Sequence, residues 1–180
     1  MPASRNLAFS LADLLRDSNY KLTQFSAAGI KALEERVFIK AVREKDVLIN
    51  GTGIGTIGRA APYLEKAQAL PDNHVTVLKI DESRIDPVYL STFLNSAAGQ
   101  LQVEKYFKGS SWQIELYPED IANFQVWIAP TSIQSGIRSD FLASRAARQK
   151  SKALLEHAKR AVEIAIEQDE ASALAYIEGK

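Results

Sequence analysis

The sequence predicts an α+β fold, in which a small mixed or antiparallel sheet domain with short helices is followed by one long C-terminal helix. Short strand-like segments alternate irregularly with short helical ones, which favours this class over a doubly wound sheet. Residues 132–178 contain no proline, and no glycine after Gly136, so one helix of about 70 Å is expected there. We therefore divide the chain into a domain over residues 1–130 and a spacer or dimerisation helix over residues 131–180.

Composition narrows the class of protein. The 180 residues suffice for one core plus an appendage, and 46% hydrophobic with 24% charged residues argues against disorder. The 22 basic residues balance the 22 acidic ones, so the total charge does not indicate nucleic-acid binding. There is no cysteine, no secretory signal and no apolar run of membrane-spanning length. We expect a cytoplasmic protein that binds no cofactor and no metal.

Strand and helix signals follow one another before the tail. Asp86 and Pro87 open a helix, because aspartate accepts the free amides of a first turn and proline is tolerated there. Pro62 and Pro71 limit any helix between the first two strands to a short piece. The predicted elements are strands at 46–50 and 74–80, helices at 88–95 and 97–107, and strands at 112–116 and 124–128, the last two separated by a turn around Pro118, Glu119 and Asp120.

The tail carries residues spaced three and four apart, as in a coiled-coil seam. They are Phe141, Ser144, Arg148, Ser151, Leu155, Ala158, Val162 and Ala165. The strongest part, Leu155, Ala158, Val162 and Ala165, is predicted to face a second copy or a partner subunit. The alternative is that the helix folds back over its own domain, with these residues against Tyr106, Phe107 or Trp127.

A glycine-rich stretch, NGTGIGTIGR at 50–59, follows the first strand and has two interpretations. Gly53, Gly55 and Gly58 match the G-x-G-x-x-G of dinucleotide-binding folds, and Asp81 lies where a ribose-binding acid is sought. That function needs a helix beginning in the loop, and Pro62 opposes one. In the other interpretation the glycines permit positive φ angles and a tight strand reversal, which displays Thr52, Thr56 and Arg59 from a rigid loop.

Five fragments in this order resemble the target recognition domains of type I restriction-modification specificity subunits. The first is KDVLINGTGIGTIGR at 45–59, and the second is IDPVYLSTFLNS at 85–96. The other three are AGQ at 98–100, GSS at 109–111, and the pattern of Pro130, Gln134 and Ile137 that leads into the long helix. The resemblance covers about 90 residues.

The resemblance implies a non-catalytic subunit whose domain reads double-stranded DNA while its helix sets the distance to a second reader. In the family, one subunit carries two such domains separated by two antiparallel helices, and it docks with adenine methyltransferase subunits and, in complete systems, with a restriction subunit. This chain holds one domain and one helix, so it is similar to half a specificity subunit. A homodimer joined through the helices would restore the arrangement and bind a palindromic, bipartite target.

The chain departs from the family pattern at two motif positions. Lys45 replaces the usual glycine, and Ile133 stands where an acid often precedes the glutamine. The first 40 residues also match poorly. These departures leave open a truncated or degenerate copy, or a domain detached from a methyltransferase fusion. A structural adaptor without nucleic-acid contact is a further alternative.

The sequence offers no catalytic constellation, since His74 and His157 lack acidic or cysteine partners at ligand spacing. For DNA, phosphate contacts require Lys and Arg, while base edges require side chains with paired donors and acceptors. The DNA-binding candidates are Lys21, Gln24, Arg36, Lys40, Thr52, Arg59, Lys105, Lys108, Ser110 and Trp112.

Overall fold

The computed structural model describes residues 8–15, 41–110 and 113–179. The chain forms two compact units, Met1–Arg138 and Ser139–Lys180. The predicted α+β class is confirmed, with small antiparallel sheets, short helices and a long helix near the C-terminus. Five of the DNA-binding candidates lie outside the described residues: Lys21, Gln24, Arg36, Lys40 and Trp112.

Seven strands and five helices make up the described part of the chain, together with a 3₁₀ turn at Leu11–Leu14. The strands are β1 (Ala8–Ser10), β2 (Val47–Asn50), β3 (Ala60–Pro62), β4 (Val75–Leu78), β5 (Lys108–Ser110), β6 (Gln113–Glu115) and β7 (Gln125–Trp127). The helices are α1 (Pro87–Asn95), α2 (Ala97–Tyr106), α3 (Pro118–Ala122), α4 (Thr131–Glu167) and α5 (Glu170–Glu178). Within the described ranges, none of the helices combines the length and apolar character that a bilayer crossing requires.

The strands form three antiparallel sheets. The central sheet has the order β3-β2-β4, with Leu48 opposite Ala61 on one side and Val77 on the other. The other two are the pairs β1–β7 and β5–β6. Helix α1 packs against β2 and β3, and the core between them includes Ile49, Leu78, Ile85, Leu90, Leu94 and Phe124, all essentially inaccessible to solvent.

Most predicted elements form with ends shifted by one or two residues. The Asp86 carboxylate caps α1 by accepting hydrogen bonds from the Val88 amide at 2.8 Å and the Tyr89 amide at 3.0 Å. Between the first two predicted strands the chain forms a further strand, β3, which pairs with β2 and contains Pro62. One expectation between strands is wrong. The turn after β6 is the short helix α3, which Pro118 opens.

The expectation of one unbroken tail helix is also wrong. Helix α4 contains 37 residues, about 55 Å, and ends at Glu167. The backbone at Asp169 is extended, and its carboxylate accepts a hydrogen bond from the Ser172 amide at 2.7 Å, which begins α5. This hydrogen bond lowers the pKa of Asp169. Asp169 thus begins a new helix as its N-cap, and the helix before it ends without a proline or glycine. Proline and glycine were the only helix breakers that the sequence analysis considered.

Helix α5 turns back against α4 within the second unit. The rings of His157 and Tyr176 lie 4.4 Å apart between centroids, and Ala161, Ile164 and Ala173 are buried. Leu155 lies nine residues before Ile164, about two and a half helical turns, and so on the opposite side of α4. The turn back to α5 therefore buries one face of α4 and leaves the face with Leu155 exposed.

A buried ion pair fixes the chain leading into β2. The Lys79 ammonium, at the end of β4, contacts the fully buried Asp46 carboxylate and donates to the Ala41 carbonyl at 2.6 Å. Lys45, the residue immediately before Asp46, has a φ of 74° and forms an ion pair with Glu82 at 2.7 Å. A side chain in this left-handed region carries a steric cost that glycine avoids. The family resemblance places a glycine at this position.

We expect Lys45→Gly to be more stable than Lys45→Ala. Both variants lose the exposed ion pair to Glu82, but only glycine relieves the positive φ. The free energies of unfolding of the two variants should differ by about 0.5–1 kcal/mol. The gain from removing the steric strain is partly offset, because glycine gives the unfolded chain more conformational entropy. Urea unfolding followed by circular dichroism measures it. Equal stability of the two variants would show that Lys45 is not strained.

Candidate nucleic-acid interface

The glycine loop, residues 51–59, is a tight reversal built on three left-handed residues. Gly53, Gly55 and Gly58 have φ values of 87°, 77° and 76°. The Asn50 and Arg59 backbones hydrogen-bond across the base of the loop at 2.9 Å, and β3 then runs antiparallel to β2. The predicted backbone role of the glycines is confirmed. The helix that dinucleotide binding requires does not form after Gly58, because β3 occupies that place.

The amide side chains of two motif residues hold the loop against helices α1 and α2. The Asn95 side chain accepts a hydrogen bond from the Ala60 amide at 2.9 Å and donates one to the Ala60 carbonyl at 2.7 Å. A neighbouring β-strand would make the same pair of hydrogen bonds to this backbone. Gln100 donates to the Gly58 carbonyl at 3.2 Å and to the Leu94 carbonyl at 2.8 Å. A Cβ on Gly58 would lie 2.4 Å from Val103, so α2 approaches the loop backbone too closely for any side chain.

The remaining motif residues join α1 to the start of α4 and to β7. Gln134 is buried, accepts from the Asp86 amide at 2.9 Å and donates to the Ala129 carbonyl at 2.7 Å. Arg138 pairs with the Asp86 carboxylate at 2.8 Å. The Tyr89 hydroxyl donates to the Trp127 carbonyl at 2.5 Å. Burial raises the pKa of Tyr89.

The β5–β6 hairpin lies beside the glycine loop. Thr52 forms an isolated antiparallel bridge with Glu115, and the Leu116 amide donates to the Gly51 carbonyl at 2.8 Å. In the hairpin, Gly109 has a φ of 107°, and a Cβ there would lie 2.0 Å from the Gln113 carbonyl oxygen. Only glycine fits this position. The strands of the hairpin and the glycine loop are joined along one edge by the bridge between Thr52 and Glu115.

A polar cavity of about 580 Å³ opens where the two loops meet. The Lys108 ammonium contacts the Asp120 carboxylate at 2.7 Å and lies 5.4 Å from the centre of the Tyr117 ring. The Tyr117 hydroxyl donates to the Glu115 carboxylate, which raises the pKa of Tyr117. Thr52, His74 and Gln113 complete the polar lining. The cavity therefore offers a cation, a carboxylate, an imidazole and an aromatic ring.

The structure brings some predicted DNA-binding residues together and leaves others apart. Thr52 and Lys108 line the cavity, and Ser110 lies exposed on the same hairpin as Lys108. Arg59 is exposed at the end of the glycine loop, and Lys105 lies on the last turn of α2 with its ammonium 4.9 Å from the centre of the Tyr106 ring. Neither of these two lines the cavity.

The sequence-based selection missed five cavity side chains: His74, Gln113, Ile114, Glu115 and Tyr117. The bridge that joins the two loops connects Thr52 to Glu115, 63 residues apart, and no local pattern predicts it. Within the described ranges, no group of three or more His, Asp or Glu residues could hold a metal ion. The other histidine, His157, stacks on Tyr176 in the second unit.

The predicted seam on α4 is exposed to solvent. Leu155 and Val162 are 55% and 61% exposed, and both alanines of the seam, Ala158 and Ala165, are exposed as well. Ile166, on the same side of the helix, is 81% exposed. We call Leu155, Ala158, Val162 and Ala165 the dimer seam. Leu155 and Val162 lie opposite the buried Ile164, whereas Ala158 and Ala165 lie beside the buried Ala161, at the border of the face that α5 covers.

In comparisons with known proteins, no protein-family model and no curated protein matches the chain.

We expect Asn95→Ala to destabilise the protein by about 1–3 kcal/mol, because it removes both bonds to the partly buried Ala60 backbone. Gln102→Ala is a matched control, since Gln102 makes the same pair of bonds to the Gln125 backbone at an exposed site, where water replaces them. Urea denaturation gives both free energies of unfolding. A cost for Asn95→Ala no larger than for Gln102→Ala would show that the glycine loop does not depend on Asn95.

Proposed function

We propose that this chain is a sequence-specific DNA recognition subunit, equivalent to half a specificity subunit of a type I-like restriction-modification or DNA adenine methyltransferase complex. One observation carries the proposal. The five fragments that resemble the family are scattered over 93 positions, 45–137, yet their described residues contact one another in a single frame around the glycine loop. The contacts are made by the amide side chains of the fragments, Asn95, Gln100 and Gln134, as expected if the fragments form one motif.

The exposed surface of that frame has the chemistry that DNA recognition needs. Arg59, Lys105 and Lys108 supply cations for phosphate oxygens. Thr52 and Ser110 supply hydroxyl groups, and their backbones are held by the bridge of Thr52 to Glu115 and the pairing of Ser110 with Gln113, so little conformational entropy would be lost on binding. The net charge of zero agrees with local rather than general attraction to DNA.

The charge pattern of α4 supports a homodimer with antiparallel helices. Residues 141–152 contain four basic and no acidic residues, whereas residues 156–167, up to the end of α4, contain three acidic and two basic ones. Antiparallel pairing over the whole predicted seam, from Phe141 to Ala165, places the basic half of each helix against the more acidic half of its partner. Parallel pairing would place like charges together. The partner of the seam is therefore a second copy of this chain in a two-fold arrangement.

Such a dimer presents two identical DNA-binding domains related by a two-fold axis, which requires a palindromic target in two separated parts. The chain itself does no chemistry in this proposal. Methyl transfer belongs to a partner methyltransferase subunit, and DNA cleavage to a restriction subunit where one is present.

We expect Arg59→Ala and Lys108→Ala to weaken binding to all duplexes alike and to reduce the slope of log affinity against log salt by about 1 each, because each removes one phosphate contact. Lys66→Ala is the matched control. Lys66 is exposed in the connection after β3, at the opposite end of the β2–β3 hairpin from the glycine loop. Fluorescence anisotropy over a salt series measures the slopes.

The proposal predicts that the wild-type chain selects related duplexes from a random library at physiological salt. Selection of no preferred sequence, alone or with an adenine methyltransferase subunit, would contradict it. Equal slopes for wild type, Arg59→Ala and Lys108→Ala would place the DNA elsewhere on the protein.

We expect the double variant Leu155→Asp/Val162→Asp to be a folded monomer while the wild type is a dimer. In a dimer of the variant, each chain would bring two negative charges into the helix–helix interface. Light scattering reports the mass, and circular dichroism the fold. Leu174→Asp/Ile177→Asp is the control, since these α5 residues are both 51% exposed but lie off the dimer seam. A wild-type mass of one chain would contradict the dimer.

Helix orientation can be tested separately because the chain has no cysteine. Ser144→Cys and Ala165→Cys introduce cysteines near opposite ends of the whole predicted seam, which runs from Phe141 to Ala165. With antiparallel helices we expect little disulfide within either variant alone and efficient disulfide in a mixture of the two, as measured on a non-reducing gel. Efficient self-coupling of each variant would indicate parallel helices.

A further inference from the structure

The cavity between the glycine loop and the β5–β6 hairpin differs in shape from a surface that reads a base-paired duplex. Base edges in the major groove are read by elements that project into the groove. A cavity of about 580 Å³ instead has the volume of a small-molecule site, and it admits a ligand of nucleotide size.

The side chains of the cavity complement a single nucleotide. The Tyr117 ring, 38% exposed, provides a face on which a base can stack. The Glu115 carboxylate accepts hydrogen bonds, so it favours a base that carries an exocyclic amino group. Lys108 and His74 provide cationic or donor groups for a phosphate.

An apolar side chain follows directly after a residue that lines the cavity. Ile54 is 57% exposed in the glycine loop, and its neighbour Gly53 lines the cavity. The Gly53 carbonyl accepts hydrogen bonds from the Thr56 and Ile57 amides, at 3.2 and 2.9 Å, which closes the turn that carries Ile54. Apolar side chains in such positions insert between base steps and unstack them.

From these observations we infer that the cavity receives one extrahelical nucleotide of the bound DNA, whose base carries an exocyclic amino group, while Ile54 fills the space that the base leaves in the stack. The inference rests on the proposed DNA-binding function and specifies how that surface engages its target. No bond is made or broken in this step. The energy for unstacking comes from contacts in the cavity and along the phosphates.

The first test uses a duplex that the intact chain selects from a random library, with 2-aminopurine placed at each position in turn. We expect a severalfold rise in fluorescence at one position on binding, because 2-aminopurine is quenched in the stack and bright outside it. Placing an unpaired 2-aminopurine at that position should tighten binding about tenfold, since less unstacking is required. Tyr117→Ala should abolish the gain.

Ile54→Ser should reduce the fluorescence rise and the preference for the unpaired base. Leu70→Ser is the matched control, because Leu70 is 63% exposed beside the bridge between Val42 and Ala69, at the opposite end of the central sheet. Duplex binding with no fluorescence rise at any position would overturn the inference and leave the proposed function standing.

A second arm does not depend on a duplex. The chain is titrated with adenosine and thymidine 5′-monophosphate, and its amide signals are followed by nuclear magnetic resonance. We expect the adenosine nucleotide to shift signals of Gly53, Gly109 and Glu115 more strongly than the thymidine nucleotide does. If the chain selects no duplex, the proposed function fails. The titration still shows whether the cavity binds a nucleotide. No shift with either nucleotide would overturn the cavity as a nucleotide site, and equal shifts would overturn its preference for an amino group.

Discussion

The candidate DNA surface depends on the pair of hydrogen bonds between the Asn95 side chain and the Ala60 backbone. A nine-residue loop with four glycines would otherwise have large conformational freedom. Asn95 binds one end of the loop as if it were another strand, and Gln100 binds the Gly58 carbonyl beside it. The helices α1 and α2 thereby fix both the backbone of the loop and the hairpin that bridges to it at Thr52.

This arrangement explains why the family-like fragments consist largely of glycine and small polar residues. Gly58, Gly99 and Gly109 occur where a Cβ would meet other atoms at 2.0 to 2.4 Å. Asp86, Asn95, Gln100 and Gln134 use their side chains on the backbone of neighbouring elements. These residues of the fragments form a scaffold. Of the side chains proposed to contact DNA, Thr52, Arg59 and Ser110 are held within the fragments, whereas Lys105 and Lys108 lie between them.

Local patterns predicted much of the fold because they depend on neighbouring residues. The cap at Asp86, the helix pair meeting at Ser96 and the strands β2 and β4 all follow from sequence signals within a few residues. The break at Asp169 was missed because an aspartate cap in an otherwise helical sequence gives a weak signal beside proline or glycine. The cavity was missed because Glu115 and Tyr117 meet Thr52 and His74 only through pairing of distant strands.

The central claim is that the glycine loop and the β5–β6 hairpin form one surface that contacts DNA. Hydrogen–deuterium exchange of the intact chain, with and without duplex DNA at low salt, tests it most directly. The account predicts slower exchange on binding in residues 51–59 and 108–115, with unchanged exchange in the connection at 63–73. DNA binding that leaves the exchange of both loops unchanged would contradict it.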